Sequence, residues 1–401
     1  MKKQAIPVFM YHSVGVPNNN WKWNYLTTPY KDFEKELIYL KKKGFNTIDL
    51  NELYDYIHND VAVPENSIVL TFDDGYVDNY IFAYPLLKKY GFKGTIFVNP
   101  EFMDPRNIIR DRFDEDSSVI DKDTTGFLSW EEMRIMESDS VIDIQSHAMT
   151  HTWYPTSDTI IDYRTDNDHY WWMTWNNFPE KKAYLQMDDE SLVRLGEPVY
   201  ENKKSLMAKR FFPNNKLSES LVDFVKNNGG KDFFKSKNWK TILNEVRDNI
   251  ISEKNFNQGY YESEDERCFR IRTELLESKE VIEKKLNKKV EFLCWPGGSG
   301  TKEGQLIAEE LGYKMTTAAR DIEPSLRKKI KNDGEIFRNR IGRTSSILFE
   351  TNENGIHRVI YSKGFGIGLR IKAFNSSGIK RKVIAGTVII LGKINNIFNR
   401  K

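Results

Sequence analysis

Short apolar segments that are predicted as strands alternate with segments of helical periodicity along most of this chain. The predicted strands cover residues 6–11, 67–70, 94–98, 141–145, 290–294, 314–317 and 336–341, and the predicted helices cover 30–43, 51–58, 79–90, 274–286 and 304–311. This alternation is typical of an α/β fold built on a parallel sheet. Because chemistry in such folds is carried at the carboxyl ends of the strands, polar residues at those ends are the first site candidates.

Two adjacent aspartates, Asp73 and Asp74, follow the predicted strand 67–70 and precede a glycine. Charge at the end of a buried strand costs free energy unless a partner or a metal compensates it. An Asp-Asp-Gly sequence also forms ordinary turns, so this segment alone leaves both a site and a plain turn open.

Two histidines, His147 and His151, lie four residues apart just beyond the predicted strand 141–145. On a helical turn both rings would lie on one face and could reach one ion. Two histidines and one carboxylate form a common catalytic metal set that leaves positions for water and substrate. We therefore predict that Asp74, His147 and His151 bind a divalent metal, although such a histidine pair also occurs in packing or at a surface.

Asp73 is left for a different role, because neighbouring side chains at a strand end diverge. A divalent metal lowers the pKa of a bound water from about 15.7 to about 7 in favourable sites. A carboxylate near that water can accept its proton as the water attacks a carbonyl. The sequence therefore predicts Asp73 as a general base.

Composition and charge exclude several classes of protein. The chain has 401 residues and two cysteines, which are too few for a disulfide framework. Residues 354–401 hold ten Lys and Arg and no acidic residue, so the rest has 50 basic against 58 acidic residues, or −8. A mildly acidic body is not expected to bind nucleic acid.

The apolar run 6–11 is too short for an export signal, which predicts a cytoplasmic chain. No apolar run is long enough to span a membrane.

Three segments are expected along the chain. Residues 1–353 form the predicted catalytic domain, and residues 354–401 form a basic, apolar C-terminal tail. The catalytic domain is interrupted at 152–266, where the strand–helix alternation stops over a length too great for a loop. This insertion is predicted to be mostly helical, with helices at 217–227 and 239–251.

The two strand-end motifs together resemble those of the polysaccharide deacetylases, the NodB-homology family. Residues 71–76 resemble the first motif of the family, and residues 147–151 match its second motif, a histidine pair with three residues between. Residues 278–298 are similar to a later helix and the third motif. The resemblance covers about residues 5–151 and 267–342.

This resemblance implies a distorted (β/α) barrel that removes N- or O-acetyl groups from sugars. It assigns Asp73 as the general base. It assigns Asp74, His147 and His151 as ligands of a divalent metal, often zinc.

The resemblance also implies residues on the substrate side of the site. A backbone N–H of the third motif, at the position of Gly297, helps to hold the tetrahedral oxyanion. Tyr76 and Trp295, which belong to the first and third motifs, are expected near the substrate. Trp153, two residues after the second motif, is predicted either to contact a sugar ring or to fill the core, since aromatic rings do both.

Two departures from the family pattern leave roles unfilled. The third motif often carries an arginine that orients the base, but Cys294 stands at that position. Another side chain must therefore orient Asp73, or the pKa of Asp73 differs. Cys294 itself is predicted as a buried thiol rather than a nucleophile or ligand. The Leu-x-His motif that supplies a general acid in many members is absent.

The N-terminal segment offers a replacement for that acid. Residues 7–14 resemble the opening of the poly-N-acetylglucosamine deacetylases, in which a histidine after the first strand takes the place of the acid. We therefore predict that His12 protonates the leaving amine. The alternative is a histidine that caps a strand end.

These observations predict a metal-dependent hydrolase that deacetylates an N-acetylated sugar of a polysaccharide or lipid-linked glycan. An O-acetyl esterase with the same residues and a non-catalytic glycan-binding protein on this scaffold are the alternatives. The tail 354–401 predicts contact with an anionic membrane at its inner face, where each Lys or Arg contributes about 1 kcal/mol. Docking of the tail on the barrel or on a second subunit is the other possibility.

Overall fold

The computed structural model describes most of the chain between residues 6 and 391. The described residues are 6–17, 21, 26–113, 124–184, 190–253, 256–317, 339–345, 347–351, 357–361, 365–376, 378–380, 382–384, 386–387 and 390–391.

The elements of the first 150 residues alternate as the sequence predicts. In chain order they are β1 (Val8–Tyr11), β2 (Val14–Gly15), β3 (Thr28–Pro29), α1 (Tyr30–Lys42), β4 (Asn46–Thr47), α2 (Leu50–His58), β5 (Ser67–Phe72), a π-helical turn (Asn79–Ala83), α3 (Tyr84–Tyr90), β6 (Gly94–Val98), α4 (Trp130–Ser138) and β7 (Ile142–Ser146).

The remaining elements include the predicted insertion and part of the tail. They are β8 (Trp153–Tyr163), α5 (Trp171–Asn177), β9 (Pro198–Lys204), β10 (Phe211–Pro213), α6 (Asn215–Asn227), α7 (Trp239–Ile251), β11 (Gly259–Tyr261), α8 (Glu264–Leu286), β12 (Phe292–Leu293), α9 (Lys302–Glu310), β13 (Met315–Thr317), β14 (Arg340–Ile341), β15 (Thr344–Ser345), β16 (Ile347–Thr351), β17 (His357–Tyr361) and α10 (Phe365–Phe374).

Eight strands form the main sheet, in the order β14, β13, β12, β7, β6, β5, β1, β15, and β4 pairs with β5 beside this path. Every pairing along the path is parallel. The two edge strands, β14 and β15, are consecutive in the sequence and are separated only by Gly342 and Arg343. The chain itself therefore connects the two edges of the curled sheet, and the predicted distorted (β/α) barrel is confirmed.

The barrel strands bury side chains on both faces, as expected for a parallel sheet that helices cover. One buried cluster joins Val8, Val69, Phe97, Phe292, Met315 and Ile341 with Leu50 and Leu53 of α2. The alternate residues of the same strands pack into the larger cluster beneath the helices, among them Phe9, Leu70, Ile96 and Leu293. Because adjacent strands are parallel, their carboxyl ends meet at one edge, where His12, Asp73, Asn99, His147 and Cys294 follow β1, β5, β6, β7 and β12.

Some boundaries differ from the prediction for local reasons. Helix α8 begins ten residues earlier than expected, because Ser263 and Glu266 form a capping box that starts it at Glu264. The predicted strand 336–341 is seen only as β14, since residues 336–338 lie outside the described residues.

The segment 152–266 contains the predicted helices α6 and α7, and helices are its main regular structure. A small apolar cluster that includes Leu217, Leu221, Val225 and Leu243 packs these helices together. The sequence did not predict the antiparallel pair β8–β9, which begins at Trp153 directly after the histidine motif. The outer limits of the insertion stay a prediction.

Part of the tail docks on the barrel, which was one of the two predicted possibilities. Helix α10 packs against α1 through Ile367 and Ile371, both of which are buried. A Cβ at Gly368 would collide with the Tyr39 ring, so the two helices approach closely. Arg370 is buried beside Glu36; burial raises the pKa of that carboxyl, and the charge of Arg370 opposes the rise. Within the described part of the chain, no helix combines the length and the apolar character needed to cross a membrane.

Candidate metal centre and active site

The three predicted metal ligands come together at the carboxyl edge of the sheet. Asp74 Oδ1 lies 3.2 Å from Nε2 of His147 and 3.5 Å from Nε2 of His151. One donor atom from each side chain fits within a group whose members are all less than 4.8 Å apart. Among the residues that the structure describes, no donor makes a hydrogen bond of ordinary geometry to the buried Asp74 Oδ1. A buried carboxylate oxygen that faces two imidazole nitrogens fits a divalent cation, with zinc suited to this donor set.

A hydrogen bond on the far side of the ring prepares His147 for this role. Its Nδ1 lies 2.8 Å from the backbone oxygen of Cys294, which can only accept a hydrogen bond. Nδ1 therefore carries the proton, and the lone pair of Nε2 points towards Asp74. This is the usual way in which a metal-ligating histidine is fixed in one tautomer.

The histidine pair does not lie on a helical turn, and that part of the prediction was wrong. Ala148 and His151 have φ values of 58° and 44°, in the left-handed region that few non-glycine residues adopt. The amide of Asn99 donates to the backbone oxygens of His147 and Ala148 and holds the loop in this path. The two rings still approach to 5.2 Å between centroids, so a loop achieves what a helix was expected to do.

His151 is kept neutral by its surroundings. Burial lowers the pKa of His151 to about 4, although the charge of Asp74 works in the opposite direction. A neutral imidazole is the form that binds a metal. The ring is therefore in its ligand form throughout the neutral pH range.

Asp73 is bound by an arginine that the sequence prediction did not find. Arg343 Nη1 donates to Asp73 Oδ1 at 2.6 Å, and Nη2 donates to Asp73 Oδ2 at 2.8 Å. Arg343 also donates to Thr71 Oγ1 at 3.2 Å. This two-bond geometry fixes the plane of the carboxylate. The side chain that must orient Asp73 in place of the missing third-motif arginine is therefore Arg343.

The same contact keeps Asp73 ionised. Burial alone raises the pKa of the Asp73 carboxyl, but the charge and hydrogen bonds of Arg343 outweigh burial and hold the pKa well below its usual range. An ionised carboxylate beside the metal ligands can accept a proton. Asp73 and Asp74, although adjacent, thus have different partners.

Cys294 is a buried thiol, as predicted. Its sulfur lies 3.0 Å from Arg343 Nη2 and 3.5 Å from Asp73 Oδ2. Asp73, His147 and Cys294 also place donor atoms close together. Arg343 already supplies the positive charge there, so a second cation between these groups is disfavoured.

His12 lies beside both aspartates, and its half-buried ring is subject to the charges of Asp74 and Asp73. Burial lowers the pKa of His12, and these carboxylates oppose that effect. The backbone around His12 is held by neighbouring residues: Asn79 Nδ2 donates to the His12 oxygen at 3.0 Å, and the Ser13 hydroxyl donates to Asp78. The structure therefore brings His12 to the site, while its role as an acid stays a prediction.

Gly297 of the third motif contacts the end of β9. Its φ of 53° is left-handed, which suits a glycine. The amine of Lys204, at the end of β9, donates to the Gly297 oxygen. The role of the Gly297 N–H at an oxyanion stays a prediction.

Aromatic side chains surround the predicted metal ligands. Asp74 and His151 share a small recess with Asn99, Phe102 and Phe127. Trp153 is half-buried and packs edge-on against His151, with 5.8 Å between ring centroids. Its ring therefore borders the site.

Tyr76 and Trp295 lie deeper. Tyr76 is fully buried between the rings of Trp21 and Phe127, and Trp295 has 1% of its surface exposed. Their rings support the walls of the site from the core, and a contact with substrate stays a prediction for both.

Comparison with known families gives a match over part of the chain that includes the predicted base and the predicted metal ligands. Residues 60–194 match the family described as polysaccharide deacetylase. The chain contains a polysaccharide deacetylase domain. The matched span includes Asp73, Asp74 and both histidines, and it continues into β8 and the first part of the predicted insertion.

Two curated relatives match shorter stretches of the chain. YxkH of Bacillus subtilis (strain 168), which is named among the polysaccharide deacetylases, is 40% identical over 97 residues, or 24% of this chain and 33% of YxkH. Poly-beta-1,6-N-acetyl-D-glucosamine N-deacetylase of Escherichia coli (strain K12) is 21% identical over 113 residues, or 28% of this chain and 16% of that protein. The matches thus span about a third and about a sixth of the lengths of these relatives.

Among solved structures, the fold is similar to a de-N-acetylase from Aggregatibacter actinomycetemcomitans. The two share 16% sequence identity with a TM-score of 0.49, and the similarity covers 84% of this chain and 93% of the other.

Proposed function

We propose that this protein is a metal-dependent deacetylase that removes the acetyl group from an N-acetylated sugar of a polysaccharide or lipid-linked glycan. One observation carries the proposal: two adjacent carboxylates have separate partners. Asp74 faces the imidazoles of His147 and His151, whereas Asp73 is bound and ionised by Arg343. A metal-ligand set beside an ionised base is what hydrolysis of an acetyl amide requires. The family match over residues 60–194 supports the same reaction class.

The metal would be held by Asp74, His147 and His151. When bound, a zinc ion at such a site lowers the pKa of water to about 7 and polarises a carbonyl oxygen. The lone pair of His147 Nε2 is already directed by the hydrogen bond from Nδ1 to Cys294.

The protein groups then divide the reaction between them. Asp73 accepts the proton of the attacking water, and Arg343 holds the carboxylate in place while it does so. The Gly297 N–H donates to the oxygen on which negative charge develops. His12 gives a proton to the nitrogen of the sugar as the bond to the acetyl carbon breaks.

The presence of a general acid, His12, favours an amide substrate over an ester. An amine must be protonated as it leaves, whereas the alcohol of an ester depends less on an acid. The rings of Phe102 and Phe127 line the recess beside Asp74 and suit the methyl group of an acetyl.

Acetate release tests the proposal. Wild-type protein would be given N-acetylglucosamine oligomers and, separately, an O-acetylated glycan, before and after removal and return of zinc. We expect acetate from the N-acetylated oligomers, loss of release on chelation and recovery with zinc. Faster release from the O-acetylated glycan would favour the esterase, and glycan binding without acetate from either would favour the binding protein.

We also propose that the end of the tail contacts an anionic membrane at its inner face. Residues 378–391 include Ile379, Val383 and Ile390, whose exposed fractions are 81%, 62% and 59%. The described parts of this segment are helical, and spacings of four and seven are those that bring side chains to one face of a helix. Lys380 and Lys382 are exposed beside them, and such a combination binds anionic lipid surfaces. A lipid-linked glycan would then be within reach.

Flotation with liposomes tests this contact without disturbing α10. We expect the wild type to float with anionic liposomes and the Ile379→Ser/Val383→Ser variant to stay behind. Ile109→Ser is the matched control, because Ile109 is 59% exposed on the body of the protein. Equal flotation of all three proteins would remove the membrane proposal.

A further inference from the structure

The segment after β8 contacts the metal-binding loop on both sides of His151. Before His151, the backbone oxygen of Thr150 accepts a hydrogen bond from the amine of Lys182. After it, the oxygen of Thr152 accepts from the Ser205 N–H at 2.8 Å, and the Thr152 hydroxyl donates to Asn176 Oδ1 at 2.6 Å. Three residues from different parts of the segment 171–205 thus bind the two immediate neighbours of one predicted ligand.

Lys182 is an unusual donor, because its side chain is almost completely buried. Only 3% of the residue is exposed, and Nζ lies 2.6 Å from Glu101 Oε2 and 4.8 Å from the centre of the Phe102 ring. A buried ammonium destabilises the fold unless partners of good geometry compensate its charge. Here an acidic partner, an aromatic face and the Thr150 oxygen together surround the charge.

The barrel holds Thr150 from the opposite side. Glu274 of α8, itself buried, accepts from the Thr150 hydroxyl at 2.7 Å and from the Thr150 N–H at 3.3 Å. The N–H, the hydroxyl and the carbonyl of Thr150 are therefore all bound. Lys182, which belongs to the inserted segment, supplies the hydrogen bond to the carbonyl.

The backbone of His151 needs such support. Its φ of 44° is left-handed, and a non-glycine residue keeps this unfavourable conformation only where its surroundings impose it. The conformation turns the His151 ring towards Asp74. Contacts that fix Thr150 and Thr152 therefore also fix the direction of the ring.

We propose that Lys182, Asn176 and Ser205 are positioning residues of the metal site, so that the inserted segment is a structural part of that site. The inference rests on the proposed function only in that the site must bind a metal. Loss of groups that orient a metal ligand typically lowers metal affinity about 10–100-fold. The same range is expected here.

Zinc affinity of the full-length, metal-free protein tests the proposal, measured by competition with a chromophoric chelator. Lys182→Met keeps the length of the side chain and removes its charge and hydrogen bonds. Lys181→Met is the matched control, because Lys181 is the exposed neighbour in the sequence. We expect the Kd for zinc to rise about 10–100-fold in Lys182→Met and to stay at the wild-type value in Lys181→Met.

A second pair of variants guards against misfolding of Lys182→Met. Thr152→Val removes the hydroxyl that binds Asn176 and keeps the shape of the side chain. Thr156→Val is its control, because it removes a hydroxyl of β8 that donates instead to the exposed Glu201 backbone oxygen. We expect weaker zinc binding in Thr152→Val alone, with an unchanged thermal unfolding midpoint of the metal-free protein. If Lys182→Met does not fold, this pair decides the question.

The outcomes distinguish failure of the proposed metal site from failure of the positioning role. A wild-type protein that binds no zinc would defeat the proposed metal site itself, whatever Lys182 does. A wild type that binds zinc, with Lys182→Met and Thr152→Val at the wild-type affinity, would overturn the positioning role and leave the proposed function intact.

Discussion

Arg343 forms two parallel hydrogen bonds with Asp73, at 2.6 and 2.8 Å, although the residues are 270 positions apart in the sequence. Arg343 belongs to the two-residue link between β14 and β15, where the chain connects the edges of the barrel. Closure of the barrel and orientation of the base are thus achieved by one short segment. Cys294 stands where the family often has its arginine, and it contacts Arg343 directly.

Replacement of Arg343 should change the pH dependence of catalysis. Without the guanidinium, burial is the main influence on Asp73 and raises its pKa. An adjacent arginine lowers an aspartate pKa by about 1–3 units, so the acid limb of kcat/KM in Arg343→Met should move to higher pH by about that amount. The pH–rate profile of acetate release measures the shift. Arg343→Lys, which keeps a charge, should move the limb less, and an unmoved limb in Arg343→Met would contradict the role.

An arginine at the family's usual position should not be tolerated while Arg343 is present. Cys294→Arg would bury a second guanidinium beside a carboxylate that is already paired, which we expect to destabilise the protein by about 3 kcal/mol or more. Thermal unfolding of Cys294→Arg, with Cys294→Ser as the control, measures this loss. The double variant Cys294→Arg/Arg343→Ala should recover part of it. A double variant less stable than Cys294→Arg would be the opposite of what we expect.

His12 should matter more for amides than for esters. His12→Gln keeps a polar side chain but cannot act as an acid, and we expect about a 10²-fold or greater loss of turnover on an N-acetylated oligomer. An acetyl ester with a good leaving group needs no acid and should be affected far less. Equal losses on both substrates, or no loss on either, would exclude His12 as the proton donor.

Glu36 should make stability depend on pH. Burial raises the pKa of Glu36 from 4.5 to about 7, while Arg370 and the Tyr11 hydroxyl act in the opposite direction. Between these pH values the folded protein keeps a proton that the unfolded chain has lost, so stability falls as pH rises, by about 3 kcal/mol in total. Glu36→Gln cannot titrate, so it lacks this pH-dependent change in stability, and its side chain still accepts the Tyr11 hydrogen bond.

The unfolding midpoints of wild type and Glu36→Gln, measured from pH 4.5 to 8, should therefore diverge in favour of the variant as pH rises. Glu34→Gln is a useful control, because hydrogen bonds from Lys89 and Tyr90 lower the pKa of Glu34 despite its partial burial. The unfolding midpoint of Glu34→Gln should not rise relative to that of the wild type at high pH. A constant difference between wild type and Glu36→Gln would show that Glu36 titrates normally.

Most of the barrel could be predicted from the sequence, because its strands are short apolar runs bounded by turns. The candidate ligands could be predicted for a related reason: Asp74 and His147 lie within two residues of the ends of buried strands, whose parallel carboxyl ends share one edge. The spacing of His147 and His151 correctly predicted that they meet. The loop was not predicted, because left-handed backbone is normally signalled by glycine and neither Ala148 nor His151 is one.

Arg343 could not be assigned from its own surroundings in the sequence. Its pairing with Asp73 depends on closure of the barrel, which joins strands from opposite ends of the chain. One signal was present, because Arg343 follows the last predicted strand, 336–341, and so belongs at the same edge as Asp73. The contacts of Lys182 with Thr150 were hidden for a different reason, since nothing in the local pattern marks that lysine as buried.

The most direct test of the central claim is to measure bound zinc and acetate release in parallel for wild type and Asp73→Asn. We expect about one zinc per chain in both proteins, because Asp73 is not among the proposed ligands. We expect Asp73→Asn to release acetate from N-acetylglucosamine oligomers about 10²–10⁴-fold more slowly, the usual contribution of a general base. Zinc retained with undiminished acetate release would contradict the assignment of Asp73, and zinc lost with Asp73→Asn would contradict the division of roles between the two aspartates.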